Sequence, residues 1–256
     1  MVKSAMEVVQ AARSEQHITG HEIRSRLFPD FFELHGDRLS GDDPAIVGGV
    51  ATFRSQPITV ITTSRGHDLD ERIKKHFGQP EPSGYRKVLR LIKNAEKFRR
   101  PVFLFVDTAG AYPGKSAEEN GQGQAIAQNL LQIGAAKTPI ITIMYGEGGS
   151  GGALALACGD EVWMMENSIY SVLSPEGFAA IMWKDASKVS EAAEAMKLTP
   201  QDLLKFQVIE GIIEEPEDHQ LVCQNIADIL ATELTKLEKL SNNELIERRY
   251  KRFRKF

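Results

Sequence analysis

The sequence predicts an α/β protein built on a largely parallel sheet, and three observations carry that reading. Two apolar runs, Val102 to Val106 and Ile140 to Tyr145 with Thr142 its one polar residue, have the texture of strands buried on both faces. Each is followed by a glycine-bearing loop and then by a helix-forming segment. Such alternation of strand, turn and helix implies parallel pairing with helices packed outside.

The elements follow in order. Ser4-x-x-Glu7 and Thr19-x-x-Glu22 fit the capping box, so two short leading helices are expected, ending before Pro29. Ile46 to Phe53 and Ile58 to Thr63 are β-rich and separated by the turn-like Arg54-Ser55-Gln56-Pro57, which suggests a hairpin. From Tyr85 to Phe98 apolar residues at three- and four-residue steps mark one helical face, and Pro101 bounds it. The strand Val102 to Val106 ends at Asp107 and the loop Thr108 to Gly114, and a helix carrying Ile126, Leu130 and Ile133 comes next. Pro139 opens the strand Ile140 to Tyr145, which meets a glycine-dense turn and a small-residue helix near Ser150. Glu161 to Met165 and Ile169 to Leu173 add short strands. From Glu176 the chain reads as mostly helical, with a leucine-rich helix around Leu221 to Leu237 and a basic tail after Ser241-x-x-Glu244. One domain is expected over residues 1–256: a helical leader (1–28), a core with its C-terminal helices (28–240) and a basic helical tail (241–256).

Composition narrows the function. A net charge of −4 gives no global case for nucleic acid or an acidic membrane, so any basic site must be local. Cys158 and Cys223 are far apart and lack CxxC spacing, which argues against a disulfide framework or a cysteine zinc site and for two buried thiols. The first residues lack the apolar core of a secretory signal, and about 18 consecutive apolar residues, enough to span a bilayer, occur nowhere. A cytoplasmic protein is expected.

Gly146-Glu147-Gly148-Gly149-Ser150-Gly151-Gly152 lies between a strand and a helix, where backbone N–H groups converge on the positive end of the helix dipole. Three functions compete for it. Gly146-x-Gly148-x-x-Gly151, with Glu166 about 20 residues on, matches the dinucleotide fingerprint of an NAD-type dehydrogenase. The following helix is short for that unit. Gly148-x-Ser150-x-Gly152 matches the nucleophile elbow of a serine hydrolase, but the only downstream histidine, His219, sits in a polar run. Third, the N–H groups alone can form an oxyanion hole, where one donor is worth ~3 kcal/mol. The bland alternative is close helix packing, and five glycines in seven residues exceed what packing asks.

The loop Asp107 to Ser116 ends like a P-loop in Gly-Lys-Ser, but Ala109 stands where that motif needs glycine and Pro113 removes an N–H. Two such loops on neighbouring strands can share a crevice, where α/β sheets place ligands. Between Arg72 and Arg100 cations outnumber acids; coenzyme A is a candidate ligand, with Arg86 and Lys87 as phosphate contacts, and RNA ranks below it for want of interleaved aromatics. A solvated helix face is the plainer account.

Four ordered segments, Gly78 to Leu91 (GQPEPSGYRKVLRL), Asp107 to Gly114 (DTAGAYPG), Gly146 to Leu156 (GEGGSGGALAL) and Tyr170 to Trp183 (YSVLSPEGFAAIMW), resemble the α subunits of bacterial acetyl-CoA carboxylase carboxyltransferase. The resemblance runs from about Phe28 to the basic tail. It implies a crotonase-like (ClpP/crotonase) ββα superhelix with added N- and C-terminal helices. It also implies transfer of a carboxyl group from carboxybiotin, borne on a separate biotin carboxyl carrier protein, to acetyl-CoA, giving malonyl-CoA for fatty-acid biosynthesis. The implied partners are a zinc-ribbon-bearing β subunit in an α2β2 assembly, the carrier and biotin carboxylase. By resemblance, Gly151 and Gly152 hold the biotin ureido oxygen, Gly148 and Gly149 support the turn, and Gly110, Ala111 and Tyr112 line the facing wall. The β chain supplies a second oxyanion hole, and no metal is expected on this chain. Many members of the family carry proline where this chain has Ala109, and others have a longer N-terminal helical extension.

Overall fold

The computed structural model describes residues 3–256. Both leading helices form, α1 (Ala5–Ala12) and α2 (Gly20–Leu27), each closed by a reciprocal capping box. A two-residue strand β1 (Phe32–Glu33) then pairs antiparallel with β2 (Ile46–Phe53), which forms the expected hairpin with β3 (Gln56–Thr63). The hairpin turn is tighter than its sequence suggests. Arg54 and Ser55 alone make it, both at positive φ (47° and 68°), and Pro57 lies in the strand opposite Thr52.

The short helix α3 (Leu69–Lys74) and a 3-10 turn (His76–Gly78) lead to α4 (Pro82–Lys97). There follow β4 (Val102–Thr108), α5 (Lys115–Glu119), α6 (Gln122–Gly134), β5 (Ile140–Gly149), α7 (Ser150–Leu154), β6 (Glu161–Met165) and β7 (Ile169–Ser171). Helices α8 (Pro175–Trp183), α9 (Val189–Met196) and α10 (Pro200–Lys205) precede β8 (Gly211–Ile213), with a 3-10 turn (Ala186–Lys188) between the first two. Helices α11 (His219–Leu237) and α12 (Asn242–Phe253) finish the chain.

The sheet runs β1-β2-β3-β4-β5-β6-β8, with β7 on the far end of β5. Every pairing from β3 onward is parallel. Strand alternation splits the core into two layers: Val102, Leu104 and Val106 of β4 join Val88, Leu91 and Ile92 of α4 on one face. Phe103 and Phe105 face the other way, onto Phe28, Phe53 and the Ile226, Leu230 and Leu234 stripe of α11. A buried Phe of this kind costs about 3–5 kcal/mol when cut to Ala.

Two expectations change here. The glycine-dense segment is not a free turn, because β5 runs on through Gly149, pairing Gly148 with Thr108 on one side and Tyr170 on the other. The basic C-terminal helix is docked rather than trailing: Arg249 is buried, pairs with Asp160 at 2.7 Å and donates to the carbonyls of Ile133, Ala136 and Thr138. Those three carbonyls close the turn between α6 and β5, so α12 braces the loop that feeds the glycine strand.

Candidate active site

Strands β4 and β5 lie side by side and parallel, so their carboxyl ends deliver the loop 108–114 and the helix α7 to one place. The two meet backbone to backbone. A methyl on Gly149 would collide with the carbonyl of Ala109, and one on Gly152 would collide with the nitrogen of Ala111 while lying 2.7 Å from Gly110 C and from Tyr85 Oη. A Cβ on Gly110, at φ 138°, would come 3.6 Å from the Gly149 oxygen. Gly148 is confined by Met144 Sδ and Tyr170 Cδ2, each 3.0 Å from its missing methyl. Gly151 differs, since its Cβ would meet nothing within 4 Å.

Helix α7 begins at Ser150 with Gly149 as N-cap and no side-chain cap, so its first-turn N–H groups are left for a ligand or solvent. Ser150 takes φ 55°, the left-handed conformation that lets β5 turn sharply into the helix. Beside it Ala109, Gly148, Gly149, Leu173 and Ser174 line a cleft of about 120 Å³.

An ion-pair network anchors both loops from behind. Asp107 accepts from Arg65 Nε and Nη2, both at 2.6 Å, and from the N–H of Glu147 at 2.8 Å. Glu147 in turn accepts from Arg65 Nη2 at 2.9 Å and Arg13 Nε at 3.0 Å, and Arg13 Nη1 reaches Glu176 of α8 at 2.7 Å. Burial alone would weaken the charge on Arg65, but the Asp107 and Glu147 carboxylates outweigh it and hold the guanidinium more firmly protonated than usual. Asp107 is therefore an ion-pair anchor at the end of β4. Tyr112 stacks on His76, ring centroids 3.7 Å apart, and its carbonyl accepts from Gln122 Nε2 at 3.0 Å, which fixes the outer end of the loop.

The structure thus brings together Gly110, Ala111, Gly148, Gly149, Gly151 and Gly152, with Tyr112 at the rim. Arg86 and Lys87 are a correction. The Lys87 ammonium is buried, donating to the Ile46 carbonyl at 2.8 Å and pairing with Asp42 at 2.6 Å. Arg86 is spent on Asp37 and Ser40, both at 2.7 Å, and on the Asn120 carbonyl. These cations hold the 34–45 loop onto α4 and are not free for a phosphate. Arg13, Arg65, Glu147 and Tyr85 are the residues sequence reasoning missed. Arg65 lies 42 residues from Asp107, and no local spacing joins them; Glu147 was visible only as the one charge among the glycines.

Among the described residues no group of three or more His, Cys, Asp or Glu side chains is placed to hold a metal ion. The hydrolase reading fails on geometry: His219 pairs with Glu22 of α2 at 3.2 Å, and Ser150 Oγ bonds to no described residue. The dinucleotide reading fails as well, since α7 is five residues long.

Solved structures share this shape. Transcarboxylase 12S, bound to methylmalonyl-coenzyme A and methylmalonic acid, superposes with a TM-score of 0.71 at 16% identity over 89% of this chain and 44% of that one. The β subunit of geranyl-CoA carboxylase from P. aeruginosa gives 0.65 at 16% identity over 90% of this chain and 45% of its own. This chain spans less than half of either. The class they define is one of fold, the crotonase-like fold.

The family model described as acetyl co-enzyme A carboxylase carboxyltransferase-like matches residues 3–256. An acetyl-coenzyme A carboxylase carboxyl transferase subunit alpha of Streptococcus sanguinis is 51% identical over 251 residues, 97% of this chain and 98% of that protein. The protein of the same name from Halalkalibacterium halodurans is 52% identical over 96% of this chain and 78% of its own length. The chain belongs to the acetyl-CoA carboxylase carboxyltransferase family, among its alpha subunits, and is a carboxyl transferase.

Proposed function

We propose that the Gly151–Gly152 turn is the oxyanion site that holds the ureido oxygen of carboxybiotin while its carboxyl group passes to acetyl-CoA, giving malonyl-CoA. The carrying observation is the open face of Gly151 at an uncapped helix start, next to glycines that are all explained by packing. Bound there, carboxybiotin supplies an activated carboxyl group. The chain's contribution is electrostatic: preorganised N–H donors act most where negative charge grows in the transition state. Arg65, Asp107 and Glu147 keep those donors still, and Gly110, Ala111 and Tyr112 form the facing wall.

On this reading one domain, residues 1–256, makes half of a site. The other half comes from a zinc-ribbon-bearing β subunit in an α2β2 assembly, with a second oxyanion hole for the thioester enolate. A separate biotin carboxyl carrier protein and biotin carboxylase complete the cytoplasmic enzyme. The test is malonyl-CoA formation from acetyl-CoA and carboxybiotinylated carrier, with this chain alone and mixed with a cognate β chain. Product in the mixture alone supports the half-site; product from this chain alone, or none from a mixture that assembles, overturns it.

A further inference from the structure

Tyr85, on the first turns of α4, is fully buried, and its hydroxyl has no hydrogen-bond partner. A phenylalanine would fill the same ring volume without burying an unpaired polar group, so the hydroxyl needs another explanation. Its position supplies one. The methyl that Gly152 lacks would sit 2.7 Å from Tyr85 Oη and against the nitrogen of Ala111. The hydroxyl therefore lies under the seam where the loop 108–114 meets α7, directly behind the donors assigned to the substrate oxygen. At that seam the Ala111 N–H donates to no described residue, whereas its neighbours Gly110 and Tyr112 donate to Thr108 Oγ1 and the Pro80 carbonyl. A tyrosine hydroxyl accepts as readily as it donates. Burial pushes the phenol far above its usual range, so it stays a neutral hydroxyl throughout the working pH range.

We propose that Tyr85 is a positioning residue for carboxyl transfer: its hydroxyl accepts the Ala111 N–H as the seam adjusts around an oxygen held at Gly151–Gly152. This rests on the reading of that turn as the oxyanion site. The unpaired hydroxyl raises the energy of the resting site, and the bond it gains with substrate in place favours the reacting state. The space that a methyl on Gly152 would fill borders both groups, so they face each other across it. The effect falls on turnover and not on acetyl-CoA binding, since Tyr85 lies behind the turn and lines no open surface.

The experiment compares Tyr85→Phe with the unchanged chain, each assembled with its partner subunit, using carboxybiotinylated carrier and acetyl-CoA. Expected are a kcat lower by about tenfold and a KM for acetyl-CoA within about twofold. The Tm of the variant should be equal or higher, since an unpaired buried hydroxyl has gone. An unchanged kcat, at any Tm, overturns the proposal; so does a lower kcat accompanied by a lower Tm, which marks a plain structural role. Gly151→Ala run in parallel separates the two readings. If it slows transfer while Tyr85→Phe does not, only the Tyr85 assignment fails; if neither slows transfer, the oxyanion turn itself was misassigned.

Discussion

A methyl group added at Gly151 meets nothing within 4 Å, whereas one at the next residue drives into the backbone of Ala111. The two glycines should therefore part company under mutation. Gly151→Ala, inside a helix, should leave the Tm unchanged or raise stability by up to ~1 kcal/mol, yet slow carboxyl transfer by filling the face where an oxygen sits. Gly152→Ala should lose about 1–3 kcal/mol to overpacking, measured by thermal denaturation, with activity falling in step. A Gly151→Ala variant of full activity would remove the donor role from that face. Ser150 gives a second contrast: held at φ 55°, it should gain about 1 kcal/mol as Ser150→Gly, and Ser150→Ala should keep turnover within about twofold, because no nucleophile is lost. The glycines were legible in the sequence because five in seven residues is a density that packing rarely needs. Which glycine packs and which faces outward was not, since Ala109 and Ala111 come from a loop about 40 residues earlier. Tyr85 was read as one of several apolar residues on a helical face, which its ring is; only its hydroxyl betrays a further role.

At the scale of elements, the loop between β1 and β2 carries two carboxylates driven in opposite directions. Burial would raise the Asp37 carboxyl, but the N–H groups of Gly41, Leu39 and Ser40 and the Arg86 guanidinium outweigh it and hold it far below the usual range. Asp43 is more deeply buried, and desolvation lifts its carboxyl to about 6 against the pull of the Ala45 and Glu81 N–H groups. For Asp43 the folded state keeps a proton that the unfolded chain gives up near pH 4. Its stabilisation is thus complete below about pH 4 and drains away as pH rises to about 6, by about 3 kcal/mol. Asp37 acts the other way, stabilising above about pH 4 and losing that effect as pH falls. The Tm of Asp43→Asn followed from pH 4 to 6 should decline less steeply than that of the unchanged chain, and parallel curves would show that Asp43 is ionised throughout. A second element-scale prediction concerns the ion-pair anchor: Asp107→Asn leaves Arg65 with Glu147 as its remaining carboxylate partner and should cost about 1–3 kcal/mol by denaturant titration, where no measurable loss would mean solvent takes over. Sequence periodicity located the hairpin, α4, β4, α6 and β6 because each repeats its pattern several times. It missed β1 and β8, two and three residues long, since so short a run has no period to detect. It stopped β5 at Tyr145 because glycine disfavours strands; the ladder to Thr108 and Tyr170 overrides that preference.

For the whole molecule, the question is what covers α8. This helix follows β7 directly, its N-cap Ser174 and the preceding Leu173 line the cleft at Gly148 and Gly149, and its Glu176 is tied through Arg13 to Glu147. Its outer side is apolar and bare: Ile181 is 67% exposed, Met182 61%, and Val172 just before it 80%. Such a patch raises the tendency to associate, and on the half-site reading proposed above it is where a partner would sit. A β subunit seated on α8 would bury the patch and complete the cleft in one step, with Arg13 and Glu176 keeping the helix aligned. The double variant Ile181→Glu, Met182→Lys should therefore weaken assembly with the β chain by tenfold or more, about 1.4 kcal/mol at least, measured by titration in solution. Its own Tm should move by less than about 0.5 kcal/mol equivalent, as for other surface changes. Malonyl-CoA formation should fall at low β-chain concentration and recover when the β chain is in excess, because the chemistry of the Gly151–Gly152 turn is untouched. If assembly is unaffected, the partner docks elsewhere and α8 stays exposed in the complex. If activity stays low at saturating β chain, α8 shapes the site itself and does more than dock.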